Sequence, residues 1–477
     1  MAAPPGPEVI PDDTDIATCL RILAQAKETD PGNPLWARVH DAAAQVYRAG
    51  KKSRKAARYA DRRRHDRELL GDSARYQEQN PSPAPVPAPP QPPAPERRLI
   101  GARSCYSCKT AYREVHPDYH LLCPGCATLN TARRGARCDL RGRRAVITGG
   151  RVKIGFHVAL KLLRDGAEVM VVTRFPRDAA RRFAAVPDAH DWLPRLHVHG
   201  TDLLDLTAVA GLLSAVHDRF PALDILINNA AQTVRRPPAY YREALAGEGE
   251  PLTGAAARVD VTNAVAPARA TLGAPSGLPA LPAADGTQAA QFQAARFPAE
   301  LFPAGRTDET GQPLDLRACN SWSLRLHEVD PGEWVETHVV NSFAPFLLTA
   351  RLRGLLEASP WPDRYVVQVS AMEGSFSRAN KTVRHPHTNM AKASLNMLTR
   401  TAAADYAASG IYMNSVDTGW VTDERPHPDK TAQREAGFRP PLDVIDGAAR
   451  VYDPVVRGVG GERVHGLFLK DYRPVEW

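Results

Sequence analysis

Beyond about residue 140, short β-branched stretches alternate with helical stretches, and this alternation limits the folds open to the chain. The stretch "RRAVITGG" is typical of a strand that enters a glycine turn, "GFHVALKLLRDGA" of a helix and "EVMVVTR" of a buried strand. Similar strands recur in "RLHVHGTDL", "LDILINNA", "RYVVQVS", "IYMNSVD" and "HGLFLKDY". Strands that alternate with helices form a parallel sheet with helices on both faces. We therefore predict an α/β fold built on a doubly wound parallel sheet.

Changes in composition divide the chain into four predicted parts. A small helical, basic region is expected at 1–79, because apolar residues recur there at helical spacing. A linker is expected at 80–97, since nine of the sixteen residues in "NPSPAPVPAPPQPPAP" are proline and favour an extended polyproline spacer. A cysteine module then occupies 98–137, and the α/β domain occupies 138–477.

The α/β pattern is interrupted over about residues 232–330. The segment is rich in Ala, Pro and Gly, and "GAPSGLPALPAADG" within it is typical of an exposed loop. A loop of this length in a compact domain is usually a lid, a binding loop or disordered. We predict a long insertion whose role the sequence does not specify.

Positive charge is concentrated near the beginning of the chain. The formal net charge is +8, and residues 51–68 carry nine basic and three acidic side chains. A basic helix of this kind binds nucleic acid or an acidic partner, or is simply a solvated face. The first interpretation predicts a partner site at residues 51–67, and the second predicts none.

Targeting signals are not evident in the sequence. The first residues, "MAAPPGPEVIPDD", have no basic region followed by an apolar one, so no secretory signal is predicted. No apolar run reaches the length of a membrane span. We expect a cytoplasmic protein that does not insert into a membrane.

Four of the seven cysteines have the spacing of a metal site. "CYSCKTAYREVHPDYHLLCPGC" is a C-x2-C-x14-C-x2-C pattern formed by Cys105, Cys108, Cys123 and Cys126. Two such knuckles bring four thiolates to tetrahedral distance around one Zn²⁺ ion. A histidine of this stretch, His116 or His120, is an alternative ligand. Four cysteines complete a closed shell, so we predict a structural zinc ribbon.

Several motifs then follow one another in an order that resembles one family. "TGGRVKIG" follows the first strand and opens a helix, and "NNAA" ends the fourth strand. Asn341 lies in "HVVNSFAPF", Lys392 near the start of a helix, and "NSVDTGWVTDE" ends a later strand. In this order and spacing the sequence resembles the short-chain dehydrogenase/reductase family over roughly residues 140–475. The resemblance implies a Rossmann-type sheet, a nicotinamide dinucleotide cofactor and a homo-oligomer.

The resemblance also implies which residues would contact the dinucleotide. Lys153 departs from the family pattern, because it stands where the family has the middle glycine of its turn, and only glycine adopts positive φ at low cost. It would also add a cation beside the phosphates. The implied cofactor residues are Thr148, Gly149, Gly150, Arg151, Lys153, Ile154, Gly155, Arg174, Asp202, Leu203, Asn229, Ala230, Lys392, Thr418, Gly419, Val421 and Thr422.

The end of the second strand bears on which dinucleotide is bound. A carboxylate there would accept a hydrogen bond from the ribose 2′-hydroxyl of NAD, whereas an arginine would pair with the 2′-phosphate of NADP. Arg174 occupies this region, with Arg151 and Lys153 on the nearby turn. We therefore predict NADP(H) rather than NAD(H).

The catalytic positions of the family are only partly kept. Asn341 and Lys392 are present, but the tyrosine position holds Thr388 and the serine position holds Ala371, with Ser370 before it. An aliphatic hydroxyl is a far weaker acid than a phenol, so Thr388 cannot simply replace the tyrosine. It is expected to be a helix N-cap, and the alternative is a catalytic role as hydrogen-bond donor to a developing oxyanion. The loop before the helix contains His385 and His387, and histidine titrates near neutral pH. Either histidine is a candidate substitute acid.

Two functions follow from this pattern. The first is an NADP(H)-dependent oxidoreductase with non-standard catalytic residues and an unknown carbonyl or alcohol substrate, small or borne on a polymer. The second is an inactive dinucleotide-binding protein that acts through its zinc ribbon and basic arm. The retained Asn341 and Lys392 favour the first, and the loss of both hydroxyl positions favours the second.

Overall fold

A computed structural model describes residues 11–30, 32–77, 83, 97–263, 298–308 and 310–477. Among them, the residues up to Leu69 together with Leu99–Gly101 form one compact unit, and the others form a second. Most of the predicted linker at 80–97 and all of "GAPSGLPALPAADG" lie outside the described residues.

The first unit is helical. Helix α1 (Asp13–Ala26) is capped by Asp12, whose carboxylate accepts a hydrogen bond from the N–H of Asp15 (2.8 Å). Helix α2 (Pro34–Gly71) carries the basic run, and every lysine and arginine between residues 51 and 67 is exposed on it. Binding of nucleic acid or an acidic partner there stays a prediction.

The cysteine module contains a short antiparallel ladder and one helix. Strands β1 (Arg98–Ser104) and β2 (Ala111–Glu114) pair, and helix α4 (Pro124–Arg134) follows them. The short helix α3 (Ala74–Gln77) precedes the module in the chain and belongs to the second unit, as does the module apart from Leu99–Gly101.

The second unit is organised around a nine-stranded sheet. Its order is β11–β10–β9–β8–β6–β3–β4–β5–β7, and all neighbours are parallel except β10 and β11. The strands are β3 (Arg144–Thr148), β4 (Glu168–Thr173), β5 (Leu196–Gly200), β6 (Ile225–Asn228), β7 (Asp260–Thr262), β8 (Arg364–Ser370), β9 (Ile411–Asp417), β10 (Phe468–Lys470) and β11 (Arg473–Val475).

Helices cover both faces of this sheet. Consecutive residues of β3 enter opposite cores, since Val146 packs in one buried cluster and Ile147 in the other. The predicted doubly wound, Rossmann-type parallel sheet is confirmed. The helices are α5 (Lys153–Arg164), α6 (Pro176–Ala184), α7 (Leu206–Arg219), α8 (Arg242–Gly249), α9 (Pro331–His338), α10 (Ala344–Arg351), α11 (Arg353–Glu357), α12 (Pro386–Ala408), α13 (His427–Glu435) and α14 (Val444–Val459).

The strand order reverses beside β3. Strands β4 and β5 extend the sheet on one side of β3, whereas β6 and β8 extend it on the other. In open parallel sheets, a ligand crevice forms outside the carboxyl ends of the strands at such a switch point. The fold therefore locates the crevice at the ends of β3 and β6, next to "TGGRVKIG" and "NNAA".

Two secondary-structure predictions, one for the insertion and one for a long helix, differ from the structure. The insertion is not only loop in its described part, because it contains α8 and the edge strand β7, which pairs with β5. The stretch "GEWVETHVVNSFAPFLLTARLRGLLEA" is not one helix, because a π-helical turn (Val339–Phe343) separates α9 from α10. A three-residue strand has no readable periodicity, and a single extra residue in a helix leaves its apolar pattern nearly unchanged.

No helix in the described part of the chain is both long and apolar enough to cross a membrane. The predicted oligomeric state and cellular compartment stay predictions.

Candidate functional site

A cleft of about 430 Å³ lies at the carboxyl edge of the sheet, at the switch point. It runs from the end of β4 across the glycine turn to the end of β8. Twelve predicted cofactor residues line it, namely Gly149, Arg151, Lys153, Ile154, Gly155, Arg174, Asp202, Leu203, Asn229, Ala230, Thr418 and Thr422, and Lys392 lines its far end. Four others do not line the cleft: Thr148, Gly150, Gly419 and Val421.

The turn after β3 brings backbone close to the cleft at two glycines. Gly149 has φ +68°, a backbone angle that residues with a side chain rarely adopt. A Cβ on Gly155 would lie 2.3 Å from the carbonyl oxygen of Gly149 and 2.4 Å from the side-chain nitrogen of Asn229. That nitrogen donates to the carbonyl oxygens of Thr148 (3.0 Å) and Gly149 (3.1 Å). The turn is thus packed tightly against β6, as a backbone cradle for phosphates requires.

Lys153 has φ +54° at the first position of α5. The backbone there keeps the left-handed form that a glycine would adopt easily, although the residue is lysine. Lys153 lines the cleft, and its ammonium pairs with Glu424 (3.4 Å); that it adds a cation beside the phosphates stays a prediction. Burial alone would raise the pKa of Glu424, but nearby cations, Lys153 first among them, lower it to about 2. The cation and the carboxylate therefore offset each other at this side of the cleft.

Replacing Lys153 by glycine is expected to stabilise the chain relative to replacement by alanine. Both changes remove the ammonium, but only glycine relieves the left-handed strain, which costs roughly 1 kcal/mol for other residues. Thermal or urea unfolding of the two variants measures the difference. An alanine variant as stable as the glycine variant would refute the strain.

At the end of β4, Arg174 is exposed in the cleft. Its guanidinium lies over the ring of Tyr241 (4.7 Å to the centroid) and donates a hydrogen bond to the Tyr241 hydroxyl (3.0 Å). Arg151, in contrast, is paired with Asp178 (2.6 Å). Within the described residues, Arg151 is thus ion-paired, whereas Arg174 has no carboxylate at ion-pair distance, although the charge of Asp202 acts on it.

At the opposite end, Lys392 is buried on α12, one turn after Thr388. Its ammonium donates a hydrogen bond to the carbonyl oxygen of Val369 at the end of β8 (2.8 Å). Burial lowers the pKa of Lys392 to about 8, although Glu373 opposes the shift. The lysine thus combines a position in the cleft with a proton that can leave near neutral pH.

Asn341 lies in the π-helical turn and does not line the cleft. Its amide is joined twice to the backbone of Gln232, accepting from the N–H (2.6 Å) and donating to the carbonyl oxygen (3.0 Å). Gln232 lines the cleft, so Asn341 holds the backbone of a cleft residue in place without itself facing the cleft.

The structure corrects the N-cap interpretation of Thr388. Helix α12 begins at Pro386 with His385 as its N-cap residue, because proline suits the first helical position. Thr388 is the third residue of the helix, is buried, and its hydroxyl makes no hydrogen bond within the described part of the chain. Because Thr388 does not line the cleft, it does not replace the family's acid.

The histidine hypothesis is also corrected, because neither His385 nor His387 lines the cleft. The ring of His385 stacks on Trp322 at 3.9 Å, and burial lowers its pKa. His387 is 1% exposed and faces Glu333 (3.6 Å). His385 is the N-cap residue of α12 and His387 its second residue, and each ring contacts a neighbouring segment of the chain.

Ser370 and Ala371 both line the cleft at the end of β8. The Ser370 hydroxyl, however, is shielded from solvent and makes no hydrogen bond within the described residues. The serine position of the family is therefore not filled by a hydroxyl that opens into the cleft.

Several residues of the cleft wall were not predicted from the sequence, three polar ones among them. Tyr240, Tyr241 and Glu424 line it, the two tyrosines from the start of the insertion. The signal was the pair of aromatic residues in "RRPPAYY" directly after the "NNAA" motif, whereas nothing near Glu424 marked it beforehand.

The four cysteines of the module come together. Their sulfur atoms all lie within 4.8 Å of one another, and those of Cys108 and Cys123 are 3.6 Å apart. A tetrahedral ZnS₄ centre with bonds of 2.3 Å has sulfurs about 3.8 Å apart, so the cluster could hold a metal ion. Neither candidate histidine joins it, since His120 contacts the carbonyl oxygen of Arg439 (3.4 Å) and His116 accepts from the N–H of Asp118.

The cysteine module also touches the segment that covers the cleft. The hydroxyl of Tyr106, which lies between Cys105 and Cys108, accepts a hydrogen bond from the backbone N–H of Trp420 (2.7 Å). Trp420 lies between the cleft residues Thr418 and Thr422. The module therefore supports one wall of the cleft.

Buried polar contacts hold the module against α14. The Tyr119 hydroxyl donates to Asp446 (2.7 Å), and Arg134 pairs with Asp443 (2.6 Å) and Asp446 (3.0 Å). Buried ion pairs of this kind fix geometry, because breaking one leaves a charge without compensation.

Two family models match the chain in the order of its elements. A model described as short chain dehydrogenase matches residues 143–245, and one described as enoyl-(acyl carrier protein) reductase matches residues 318–436. The stretch between the two matches falls within the insertion.

The chain is also similar to individual proteins and solved structures. An uncharacterized protein of Acanthamoeba polyphaga mimivirus is 31% identical over 368 residues, 74% of this chain and 71% of the relative. The carbonyl reductase (NADPH) of Sus scrofa is 37% identical over 91 residues, 19% of this chain and 30% of the relative. A solved structure, an NADPH-bound carbonyl reductase from chicken fatty liver, has a TM-score of 0.43 at 16% identity, covering 71% of this chain and 100% of its own. The family models, which together cover less than half of the chain, thus support the resemblance to the short-chain dehydrogenase family.

Proposed function

We propose that this chain is an NADP(H)-dependent oxidoreductase that reduces a carbonyl group or oxidises an alcohol, with Lys392 as the proton-transferring group. One observation carries the proposal: a single cleft joins Arg174 at the end of β4 to Lys392 at the end of β8. The glycine turn, whose close packing suits a pyrophosphate, lies between them. The family supplies the class of reaction, and the residues of the cleft supply its details.

Arg174 supports the choice of NADP(H) over NAD(H). An exposed guanidinium held over Tyr241 suits a phosphate oxyanion, because its planar donors form two parallel hydrogen bonds. When bound, NADP(H) supplies or accepts the hydride. The chain's own residues have to bind the 2′-phosphate, cradle the pyrophosphate and move one proton.

Lys392 takes the proton-transferring role because the family's tyrosine is absent. A general acid works best when its pKa lies near the working pH, and burial lowers the pKa of Lys392 to about 8. One of its three N–H bonds is held by the carbonyl oxygen of Val369, so the ammonium is oriented while two donors remain. In reduction, an ammonium N–H donates its proton to the developing alkoxide. In oxidation, the neutral amine accepts the proton from the alcohol.

Replacing Arg174 by alanine is expected to weaken NADPH binding by roughly ten- to a hundredfold and to leave NADH binding within about twofold. The lost interaction is a charged hydrogen-bonded pair with the 2′-phosphate, which NADH does not have. Equilibrium titration of both cofactors measures the change. Arg182→Ala is the control, since it removes the same charge from a residue that pairs with Asp178 and does not line the cleft. Equal losses for NADPH and NADH would contradict the assignment.

We also propose that the four-cysteine cluster holds a structural Zn²⁺ ion. The support is the close approach of four sulfur atoms and the preference of zinc for thiolates in closed tetrahedral shells. Its role would be to fix Tyr106 and the module against the cleft wall.

A second candidate function is binding of the dinucleotide without turnover. It is favoured by Ala371 at the serine position and by the distance of Thr388 from the cleft. Oxidation of NADPH in the presence of small aldehydes, ketones and keto acids tests between the two. Consumption of NADPH with formation of an alcohol supports the oxidoreductase, whereas NADPH binding without consumption across the panel favours the second function.

A further inference from the structure

The second half of helix α2 is strongly basic over residues 51–67, which we call the basic segment. It contains nine lysine or arginine residues and two aspartates, and all nine cationic side chains are exposed. A helix rises 1.5 Å per residue, so these charges lie along about 25 Å. Charge of one sign at this density attracts a partner that carries charge of the other sign.

The two aspartates do little to neutralise the basic segment. Asp61 pairs with Arg64 (2.8 Å). Asp66 is engaged by backbone, because its carboxylate accepts hydrogen bonds from the N–H groups of Ile100 (2.7 Å) and Gly101 (3.1 Å). The other eight cations of the segment have no carboxylate at ion-pair distance within the part of the chain that the structure describes. Their charge is therefore available to a partner.

Six of the cations form two lines along the helix. With 3.6 residues per turn, the second line lies roughly 120° around the helix from the first. They are Lys51, Lys55 and Arg58 on the first line and Lys52, Arg63 and Arg67 on the second. The major groove of B-form DNA is about 12 Å wide, admits an α-helix and has a phosphate strand along each wall. Two lines of cations on one helix match these two strands.

The basic segment lacks the apolar residues that other partners of a helix require. Its apolar residues are three alanines and Tyr59. A helix that binds a membrane surface has a face of large apolar residues, and a helix that docks in a protein groove uses such residues as anchors. Tyr59 is 56% exposed, but the guanidinium groups of Arg62 (6.0 Å) and Arg63 (5.7 Å) lie near its ring. A polyanion therefore fits the segment better than a lipid surface or an apolar groove.

The form of the polyanion follows from the width of the groove. The major groove of an A-form RNA duplex is deep and too narrow for side chains to read, whereas that of B-form DNA accepts a whole helix. Over about 25 Å, duplex DNA carries about fifteen phosphate charges, so each cation of the segment has a phosphate within reach.

We infer that the basic segment binds duplex DNA, with α2 along the major groove and its cations on the phosphates of both strands. The inference does not depend on the proposed oxidoreductase function, because the segment belongs to the first unit and the residues of the cleft belong to the second.

The test is titration of a labelled DNA duplex of about 20 base pairs with the full chain, followed by fluorescence anisotropy over a range of salt concentrations. The test variant carries Lys51→Gln, Lys55→Gln and Arg58→Gln, because these side chains are exposed and glutamine keeps the helix propensity. The control removes the same charge from exposed positions outside the segment, by Arg258→Gln, Arg351→Gln and Arg400→Gln.

Two further comparisons complete the design. A variant that keeps the charge, with Lys51→Arg, Lys55→Arg and Arg58→Lys, separates loss of charge from a change in the helix. An RNA duplex of the same sequence, and vesicles of phosphatidylserine and phosphatidylcholine in equal parts, are offered to the wild type as alternative polyanions.

The wild type, the control and the charge-keeping variant are expected to bind the DNA, with an affinity that falls steeply as the salt concentration rises. The glutamine variant is expected to bind at least about tenfold more weakly at low salt. The slope of log affinity against log salt concentration is expected to become shallower by roughly two to three, since each phosphate contact contributes about 0.9.

The proposal is overturned if the wild type does not bind the DNA, or if the glutamine variant binds as the wild type does. It is also overturned if the charge-keeping variant binds as weakly as the glutamine variant, or if the RNA duplex or the vesicles bind more tightly than the DNA. NADPH affinity, measured separately, is expected to be equal in all four proteins; failure of the wild type to bind NADPH would refute the proposed function without refuting the DNA site.

Discussion

Replacing Lys392 by methionine is expected to lower the rate of carbonyl reduction by roughly a hundred- to ten-thousandfold, the usual contribution of a general acid. Methionine keeps the length and burial of the side chain and removes the ammonium. Steady-state kinetics with saturating NADPH measures the loss. Lys161→Met is the matched control, because Lys161 is likewise buried, with a pKa lowered to about 8, but does not line the cleft. Wild-type turnover in the Lys392 variant would contradict the assignment.

The pH dependence of the wild type follows from the same lysine. The ammonium has to be protonated to donate, so the reduction rate is expected to stay level below pH 8 and to fall above it. The oxidation rate is expected to rise through the same range, because the neutral amine is then the base. A reduction rate that does not change across this range would exclude Lys392 as the acid.

The free energy of unfolding is expected to rise with pH over the range in which the reduction rate falls. The pKa of Lys392 is lowered in the folded chain, so the unfolded chain binds more protons between pH 8 and its ordinary value of 10.5. Burial of the ammonium therefore costs stability below pH 8, and this cost disappears as the pH rises through that window. The methionine variant is expected to unfold at the same temperature as the wild type or at a higher one at pH 7, which separates loss of catalysis from loss of folding.

Removing the proposed Zn²⁺ ion from the cysteine module is expected to lower the unfolding temperature by roughly 10 °C or more, since a structural zinc site contributes folding free energy directly. Chelation or Cys123→Ser is expected also to weaken NADPH binding by at least about tenfold, because the module holds the cleft wall through Tyr106 and Trp420. Differential scanning calorimetry and cofactor titration measure the two effects. Cys19→Ser is the control, because Cys19 is exposed on α1 and outside the cluster.

Tyr106→Phe separates the two effects of the metal. It removes one hydroxyl that accepts the Trp420 N–H and leaves all four thiolates in position. We expect one metal ion per chain by elemental analysis, an unfolding temperature close to that of the wild type, and NADPH binding weakened several-fold. Unchanged NADPH binding in both Tyr106→Phe and the metal-free chain would show that the module does not support the cleft.

The sheet could be predicted from the sequence because parallel strands buried on both faces are nearly continuous apolar runs, as in "RYVVQVS". The cysteine pairs could be predicted because their spacing alone implies tetrahedral coordination. Edge strand β7 could not be predicted, because a segment of three residues forms a strand only through its pairing with β5, which is distant in the chain.

The chemistry of the cleft was harder to predict. His385 and His387 have the right residue type near the right helix, but in the fold the first stacks on Trp322 and the second faces Glu333. Lys153 and Glu424 are 271 positions apart, so their pairing emerges only from the fold. Arg235 and Arg236 are adjacent, yet the first pairs with Glu336 and the second lines the cleft.

The most direct test of the central claim is an experimental structure of the full chain soaked with NADPH. We predict the 2′-phosphate against Arg174, the pyrophosphate over the turn at Gly149, and the Lys392 ammonium within about 3.2 Å of the nicotinamide ribose. Open space beside that ammonium, leading towards Arg236, is expected to receive the substrate. A nicotinamide ring outside the cleft, or a cleft closed at the Lys392 end, would contradict the account.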